Sequence, residues 1–431
     1  RTLAFGYSQY NLNHMMDIFL MAQKLGISLD NSTSPDGRNF YKAVDFLAPY
    51  YGKEPSTWPY KQISEWDYKQ SEFGKDLYRI YTFNPSRTDY LQLFRKYQKI
   101  DYRDRFFLLY FKADVTDNAF AFANDQLKYA MQCTEAAKKE ATNKRLVSPR
   151  TVEKDGNLRI VAPRDWCSGF FPGSLWHTFN YMSTDYWRQQ AISYTWPIEE
   201  MKNFKGTHDL GFIINCSFGK AYELIGERSY KDVNLQAAKS LITRYSDKVK
   251  AIRSWDWNRN KWQFPVIIDN MMNLELLFWA TQQTGDSIYH NIAVNHANTT
   301  MKNHFRTDNS SYHVVDYDTI TGKAILKVTH QGIQDESIWS RGQAWGLYGY
   351  TLCYRFTKDP AFLKQAEDIA NFFINLKDMP ADLVPYWDMK DPAIPNSPRD
   401  ASAAAVIASG LYELATYVPK DKADKYLSWA N

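Results

Sequence analysis

Two aspartates stand where a loop gives way to a helical pattern, Asp209 in Thr207-His-Asp-Leu-Gly-Phe and Asp269 in Val266-Ile-Ile-Asp-Asn-Met-Met-Asn. A carboxylate there can cap a helix N-terminus, which is its commoner use. Alternatively, two such starts aimed at one cavity make an acid and a base. Asp269 follows three aliphatic residues, and an apolar surround raises a carboxyl's pKa so that it keeps its proton near neutrality. A proton-holding acid beside an ionised carboxylate is the usual equipment for opening a sugar bond. The stretch Trp339-Ser-Arg-Gly-Gln-Ala-Trp345 places Arg341 between two tryptophans, where it faces an anion or stacks on a ring. Trp166 and Trp255, next to polar turns, join Trp339 and Trp345 as pocket-lining candidates, whereas Trp176 and Trp279 sit in apolar runs and belong to packing. His313 and the pair His330-Gln331 are weighed between substrate contact and a structural place. No His/Cys/carboxylate set has metal-ligand spacing, and neither a phosphate-binding glycine loop nor a Gly-x-Ser-x-Gly elbow is present.

Helices must position these groups. From residue 119 onward helical patterns alternate with short loops, over 119–139, 173–181, 186–203, 210–225, 232–245, 270–283, 287–305, 340–356, 361–376, 401–417 and 422–429. Every second one is rich in small and aromatic residues, and its neighbours carry more Lys, Gln and Glu. That alternation predicts an inner and an outer ring of helices. Gly342, Gly346 and Gly349 each cost about 1 kcal/mol against alanine in a helix, so a packing or ligand reason should stand behind them. A hairpin is expected from 312–317 and 323–329, joined through Thr321-Gly322. Residues 1–105 read as a separate helical piece, with helices over 11–25, 41–51, 73–81 and 90–97. Leu12, Met15, Met16, Ile18, Phe19, Ala22 and Leu25 form the apolar stripe of the first. Residues 106–111 read as a short strand-like run inside the connector.

The chain has 431 residues, of which 16% are aromatic: 14 Trp, 30 Tyr and 25 Phe. Flat amphipathic rings suit sugar faces and protein interfaces. Lys and Arg exceed Asp and Glu by 52 − 48 = 4 without a basic run, which excludes a nucleic-acid reading. Cys133, Cys167, Cys216 and Cys353 are far apart and predict no disulfide framework. No apolar run is long enough to span a membrane. The opening Arg1-Thr-Leu-Ala-Phe carries no leader pattern, which points to a cytoplasmic protein or to a periplasmic one whose export signal lies outside this sequence. Nothing specifies an oligomeric state.

Residues 117–431 resemble the unsaturated glucuronyl hydrolases of glycoside hydrolase family 88. The resemblance rests on Asp165-Trp-Cys-Ser-Gly-Phe-Phe-Pro-Gly, His208-Asp-Leu-Gly-Phe, Ile268-Asp-Asn-Met-Met-Asn-Leu, Trp339-Ser-Arg-Gly-Gln-Ala-Trp-Gly-Leu-Tyr-Gly, and Pro385-Tyr-Trp-Asp with Asp400-Ala-Ser-Ala-Ala-Ala. It implies an all-α chain with an (α/α)6 toroid and no metal or organic cofactor. The implied substrate is an oligosaccharide ending in a 4,5-unsaturated uronate. It further implies that Asp269 is the acid/base and Asp209 the second essential aspartate, with Trp166, Trp255, His313, Gln331, Trp339, Arg341 and Trp345 in the pocket. Members of the family continue past the point matching Asn431, through a Ser/His/Gly-rich segment and a last inner helix, so an incomplete toroid is expected. Residues 1–105 resemble the second half of alginate-lyase-type polysaccharide lyases, through Arg1-Thr-Leu, Tyr7, Tyr10-Asn11, the run from Asp36-Gly-Arg and Trp58-Pro-Tyr. There Tyr7 and Arg1 match that family's tyrosine and arginine, while its Asn–His element has no counterpart. The expected division is therefore a lyase-like fragment over 1–112 and a hydrolase domain over 113–431. The competing functions are a β-eliminating lyase and a non-catalytic uronate-binding module.

Overall fold

The computed structural model describes residues 5–27, 29, 32–60, 65–84, 86–97 and 115–431. The boundary expected near 112, the strand-like run 106–111 and Arg1 lie outside the described residues. By compactness the chain divides into Arg1–Tyr129 with His177–Gln189, and Ala130–Trp176 with Gln190–Asn431.

The first unit contains α1 (Phe5–Lys24), α2 (Phe40–Leu47), α3 (Trp66–Phe83) and α4 (Thr88–Tyr97). Asn39 starts α2 by accepting the Lys42 N–H on its side chain, one of the donors a helix start leaves unpaired. Aromatic edges hold the core: the Phe5 ring meets Trp58 at 5.3 Å and Phe73 at 5.4 Å, both edge-on. The apolar stripe expected on α1 is narrower than predicted. Phe5, Leu12, Met16 and Ala22 are buried, but Met15, Ile18 and Leu25 face outward, because they lie off the face that α1 packs on α3 and α2. Asp76 of α3 is buried among them and accepts hydrogen bonds from Gln9 Nε2 (2.5 Å) and Asn13 Nδ2 (2.7 Å).

Beyond it, α5 (Val115–Glu140) leads to a hairpin of β1 (Ser148–Val152) and β2 (Leu158–Val161) that the sequence pattern did not reveal. Then come α6 (Phe170–Met182) and α7 (Asp185–Thr195), the latter extended by a 3₁₀ turn over Trp196–Asn203. The next helix, predicted as α over 210–225, opens as a π-helix over Gly211–Gly219 and only then becomes α8 (Lys220–Ile225). After α9 (Arg228–Ile242) the chain makes β3 (Tyr245–Ser246), β4 (Ala251–Ile252) and β5 (Pro265–Ile267). The helix expected over 232–245 is thus displaced toward the N-terminus, since Tyr245 pairs with Ile252 in a ladder. The remaining elements are α10 (Asn270–Thr284), α11 (Ser287–His304), β6 (Val314–Tyr317), β7 (Ala324–Val328), α12 (Ser340–Thr357), α13 (Pro360–Ile374), α14 (Ala401–Leu414) and α15 (Lys420–Ala430). Gly285 ends α10 with φ +75°, a left-handed turn that side chains resist.

The expected hairpin is present as β6 and β7, but β5 joins it to make a three-stranded antiparallel sheet. The small-residue helices stand side by side and touch through glycines. A Cβ on Gly173 of α6 would lie 2.7 Å from the Cys216 carbonyl oxygen. On Gly211 it would lie 2.7 Å from Asn273 Cα, and on Gly349 2.4 Å from Met271 Cβ. Close packing therefore explains Gly349, and Gly342, where a Cβ would meet Trp339 at 2.7 Å; Gly346 has ordinary room.

Candidate active site

Neither aspartate caps a helix with its side chain. Asp269 directly precedes α10, yet its side chain accepts no cap hydrogen bond. Backbone pairing puts it there: β5 ends at Ile267, and the Ile268 N–H donates to the His313 carbonyl (3.1 Å). Asp269 is 7% exposed, and its Oδ2 has no hydrogen-bond partner among the described residues. His313 Nε2 lies 3.6 Å from it, itself buried and without a hydrogen-bond partner among the described residues. His313 Nδ1 accepts two backbone N–H groups, from His330 (3.0 Å) and Gln331 (3.1 Å). A nitrogen accepting two donors carries no proton, so the ring is the tautomer whose Nε2–H points to Asp269. Gln331 thus meets the site through its main chain, while its side chain is exposed.

Asp209 is tied more tightly. Its Oδ1 lies 3.1 Å from His208 Nε2, and its Oδ2 accepts the Thr207 hydroxyl (2.6 Å). Burial opposes its charge, but the His208 ring, the Thr207 hydroxyl and the Arg244 cation outweigh burial and hold the carboxyl below its ordinary value. The two aspartates begin neighbouring helices. The Phe212 N–H donates to Asn273 Oδ1 (2.9 Å), and Thr207 bridges to Trp255.

A run of rings connects them. Trp255 stacks on Trp257 (4.9 Å) and meets His330 (5.7 Å); His313 meets Trp339 (4.8 Å). Trp339 packs in one cluster with Phe212 and Trp345, and Trp166, Phe170 and Trp387 lean against it. Trp345 Nε1 and Trp255 Nε1 are buried without a partner among the described residues. Arg341 does both things its setting suggested. Its guanidinium lies 4.8 Å from the Trp339 ring centre, and its Nη1 donates to Asp400 Oδ2 (2.7 Å) and Ser402 Oγ (3.0 Å). Asp209, Asp269, Trp166, Trp255, His313, Trp339, Arg341 and Trp345 are thereby gathered into one connected region. Tyr7 stands in the first unit on α1 and is 62% exposed.

Sequence reasoning missed Asp388, which is fully buried. It accepts hydrogen bonds from Ser337 Oγ (2.6 Å) and from the Ile333 (2.9 Å) and Lys390 (3.0 Å) N–H groups. It anchors the loop that brings His330 and Gln331 to His313. Its only sequence signal was its place in the Pro385-Tyr-Trp-Asp block. No group of three or more His, Cys, Asp and Glu suited to a metal ion occurs among the described residues.

Comparison with known proteins places this arrangement. The chain is 52% identical over 272 residues to an unsaturated glucuronyl hydrolase of Formosa agariphila, covering 63% of this chain and 66% of that protein. It is 34% identical over 280 residues to an unsaturated chondroitin disaccharide hydrolase of Streptococcus pneumoniae, covering 64% of this chain and 70% of that one. A solved unsaturated glucuronyl hydrolase specific for heparin superimposes with a TM-score of 0.67 at 46% identity, over 73% of this chain and 82% of that chain. The chain belongs to the unsaturated glucuronyl hydrolase family. As a family member it is a glycoside hydrolase with an α/α toroid, built here from the glycine-seamed helices. It spans about two thirds of the length of the curated relatives it matches. Separately, residues 1–58 match the alginate lyase family model.

Proposed function

We propose that this glycoside hydrolase releases a terminal 4,5-unsaturated uronic acid from an oligosaccharide by adding water across the vinyl-ether double bond, with Asp269 and Asp209 as its two working carboxylates. The observation that carries the reading is their asymmetry. Asp269 is buried with one oxygen unpartnered, while Asp209 is hydrogen-bonded on both oxygens and held ionised.

Asp269 gives a proton to C4, and the double-bond electrons form the new C4–H bond. Positive charge develops at C5 and on the ring oxygen, where the Asp209 carboxylate steadies it. Asp269, now a carboxylate, takes a proton from water as the water oxygen bonds to C5. The resulting hemiketal opens: its hydroxyl becomes the C5 ketone, and the C5–ring oxygen bond breaks. The hemiacetal left at C1 then collapses to an aldehyde and expels the remaining saccharide. His313 Nε2–H is placed to orient Asp269 or to meet the sugar. Trp166, Trp255, Trp339 and Trp345 offer faces for the ring, and Arg341 and the Gln331 segment supply polar contacts. The separation rule for ordinary glycosidase carboxylates does not apply, because it assumes attack at the anomeric carbon.

The test is the vinyl-ether absorbance of lyase-digested uronic-acid polymers, sulfated and unsulfated. Wild type is expected to bleach it, and Asp269→Asn to do so at least about 10³-fold more slowly. Wild-type protein that leaves the absorbance untouched on every digest overturns the reading. A rise in absorbance on intact polymer would select the lyase reading, which rests on the match over residues 1–58. Binding without turnover would select the uronate-binding module.

A further inference from the structure

Ser254 belongs to none of the blocks that carry the family resemblance, yet every polar atom it has is spent between the segments bearing the two aspartates. Its N–H donates to the Pro265 carbonyl (2.8 Å), and its carbonyl accepts the His208 N–H (3.2 Å). Its Oγ accepts the Ile267 N–H (2.9 Å) and lies 3.2 Å from His208 Nδ1. Ser254 is 1% exposed and His208 2% exposed, so water does not compete for these bonds.

Among the described residues the hydroxyl proton has one acceptor, His208 Nδ1. Ile267 takes one lone pair of Ser254 Oγ, and giving the hydroxyl proton to His208 Nδ1 is the arrangement that leaves no buried hydrogen of Ser254 unpaired. His208 then carries its own proton on Nε2, 3.1 Å from Asp209 Oδ1. The donors run one way, from Ile267 N–H to the Ser254 hydroxyl, to His208, to the Asp209 carboxylate. Ile267 lies two residues before Asp269 and ends the strand that places it.

Building on the function proposed above, we propose that Ser254 is a positioning residue for the hydrolase. Through one hydroxyl it fixes His208 as an Nε2–H donor to Asp209 and pins the strand that delivers Asp269. The groups facing Asp209 are His208 and Thr207 of its own segment, Arg244 from the loop after α9, and the Cys167 thiol from the turn before α6. Of these, only the His208 contact depends on Ser254. Removing the hydroxyl frees the ring to turn, and Asp209 loses its nearest nitrogen donor.

Two measurements test this, one of them independent of turnover. Nitrogen-15 spectra of wild-type protein labelled in histidine, with the His208 signals assigned by loss in His208→Gln, should show protonation at Nε2 with Nδ1 bare. A proton on Nδ1 overturns the proposal whether or not the protein hydrolyses anything. In the second, Ser254→Ala should move the acid limb of the kcat/KM profile up by half a pH unit or more. It should also lower kcat about tenfold while KM stays within threefold, and Ser254→Thr, which keeps the hydroxyl, should restore the limb. An unmoved limb in folded Ser254→Ala, or a limb that Ser254→Thr fails to restore, overturns it. Absence of wild-type turnover would sink the function proposed above and leave the spectroscopic result standing.

Discussion

Gly211 lies where the helices that follow the two aspartates touch, and a single methyl there has a calculable effect. A Cβ would sit 2.6 Å from Asn273 Oδ1 and 2.7 Å from Asn273 Cα, one of them backbone. Reaching ordinary contact at 3.4 Å requires a shift of about 3.4 − 2.7 = 0.7 Å. Crowding of this kind costs about 1–3 kcal/mol, and losing the Phe212 N–H bond to Asn273 about 1 more. Alanine's helix preference returns about 1 kcal/mol, which leaves Gly211→Ala about 2 kcal/mol less stable. Because the shift separates the starts of the two helices, it also moves Asp209 relative to Asp269. A misplacement near 1 Å can cost about a hundredfold in rate, so kcat should fall at least tenfold. Urea unfolding measures the first quantity and vinyl-ether bleaching the second. Gly346→Ala is the control: its Cβ would meet Phe305, Ile369 and Ile268 at 3.4–3.7 Å, and it should be neutral or up to about 1 kcal/mol more stable. If Gly211→Ala keeps wild-type stability and a kcat within twofold, the idea that glycine contacts space the two carboxylates is wrong.

Other consequences can be checked alongside it. Asp388→Ala leaves the Ser337 hydroxyl and the Ile333 and Lys390 N–H groups without their acceptor, at a cost of about 3 kcal/mol, and should raise hydrogen exchange across 329–338. Burial pushes Asp76 up to about 7, so folding takes up a proton there. Its contribution is fully present below the unfolded value near 4 and is lost as pH rises through about 7. Hydrogen exchange in α3 should therefore quicken over that window in wild type and less so in Asp76→Asn. Burial pulls His304 down to about 3, so stability is present above about 6.5 and is lost as pH falls, on the order of 3 kcal/mol between pH 6.5 and 4; acid unfolding of His304→Gln should show a shallower slope. Burial lifts the Cys167 and Cys216 thiols to about 12, and Cys353 is raised as well. Alkylation of the native protein at pH 8 should be slow at all three and prompt once it is unfolded.

The helices of the hydrolase were legible because inner and outer ones differ in composition, and their ends fall within a few residues of expectation. Arg341 was legible too, since an arginine between two tryptophans has few other uses. What escaped was settled by partners distant in sequence. Val266 and Ile267 read as an aliphatic run before Asp269, and only pairing with Val315 and Val314 makes them a strand. The π-helix at Gly211 has no period of its own that a run of Phe, Ile and Ile discloses. The His313 tautomer depends on two backbone N–H groups, which no side-chain pattern encodes. On α1, Met15 and Ile18 fit the helical stripe and yet face outward, because the face that packs on α2 and α3 is narrower than the stripe.

The seams between the inner helices also limit how this enzyme could be redesigned. With helix resting closely on helix at Gly173, Gly211 and Gly349, those joints have no room for a side chain, so they are poor places to make space for a bulkier sugar. Changes of preference are better sought at exposed positions of the connecting segments 329–338 and 385–400, which carry none of those joints.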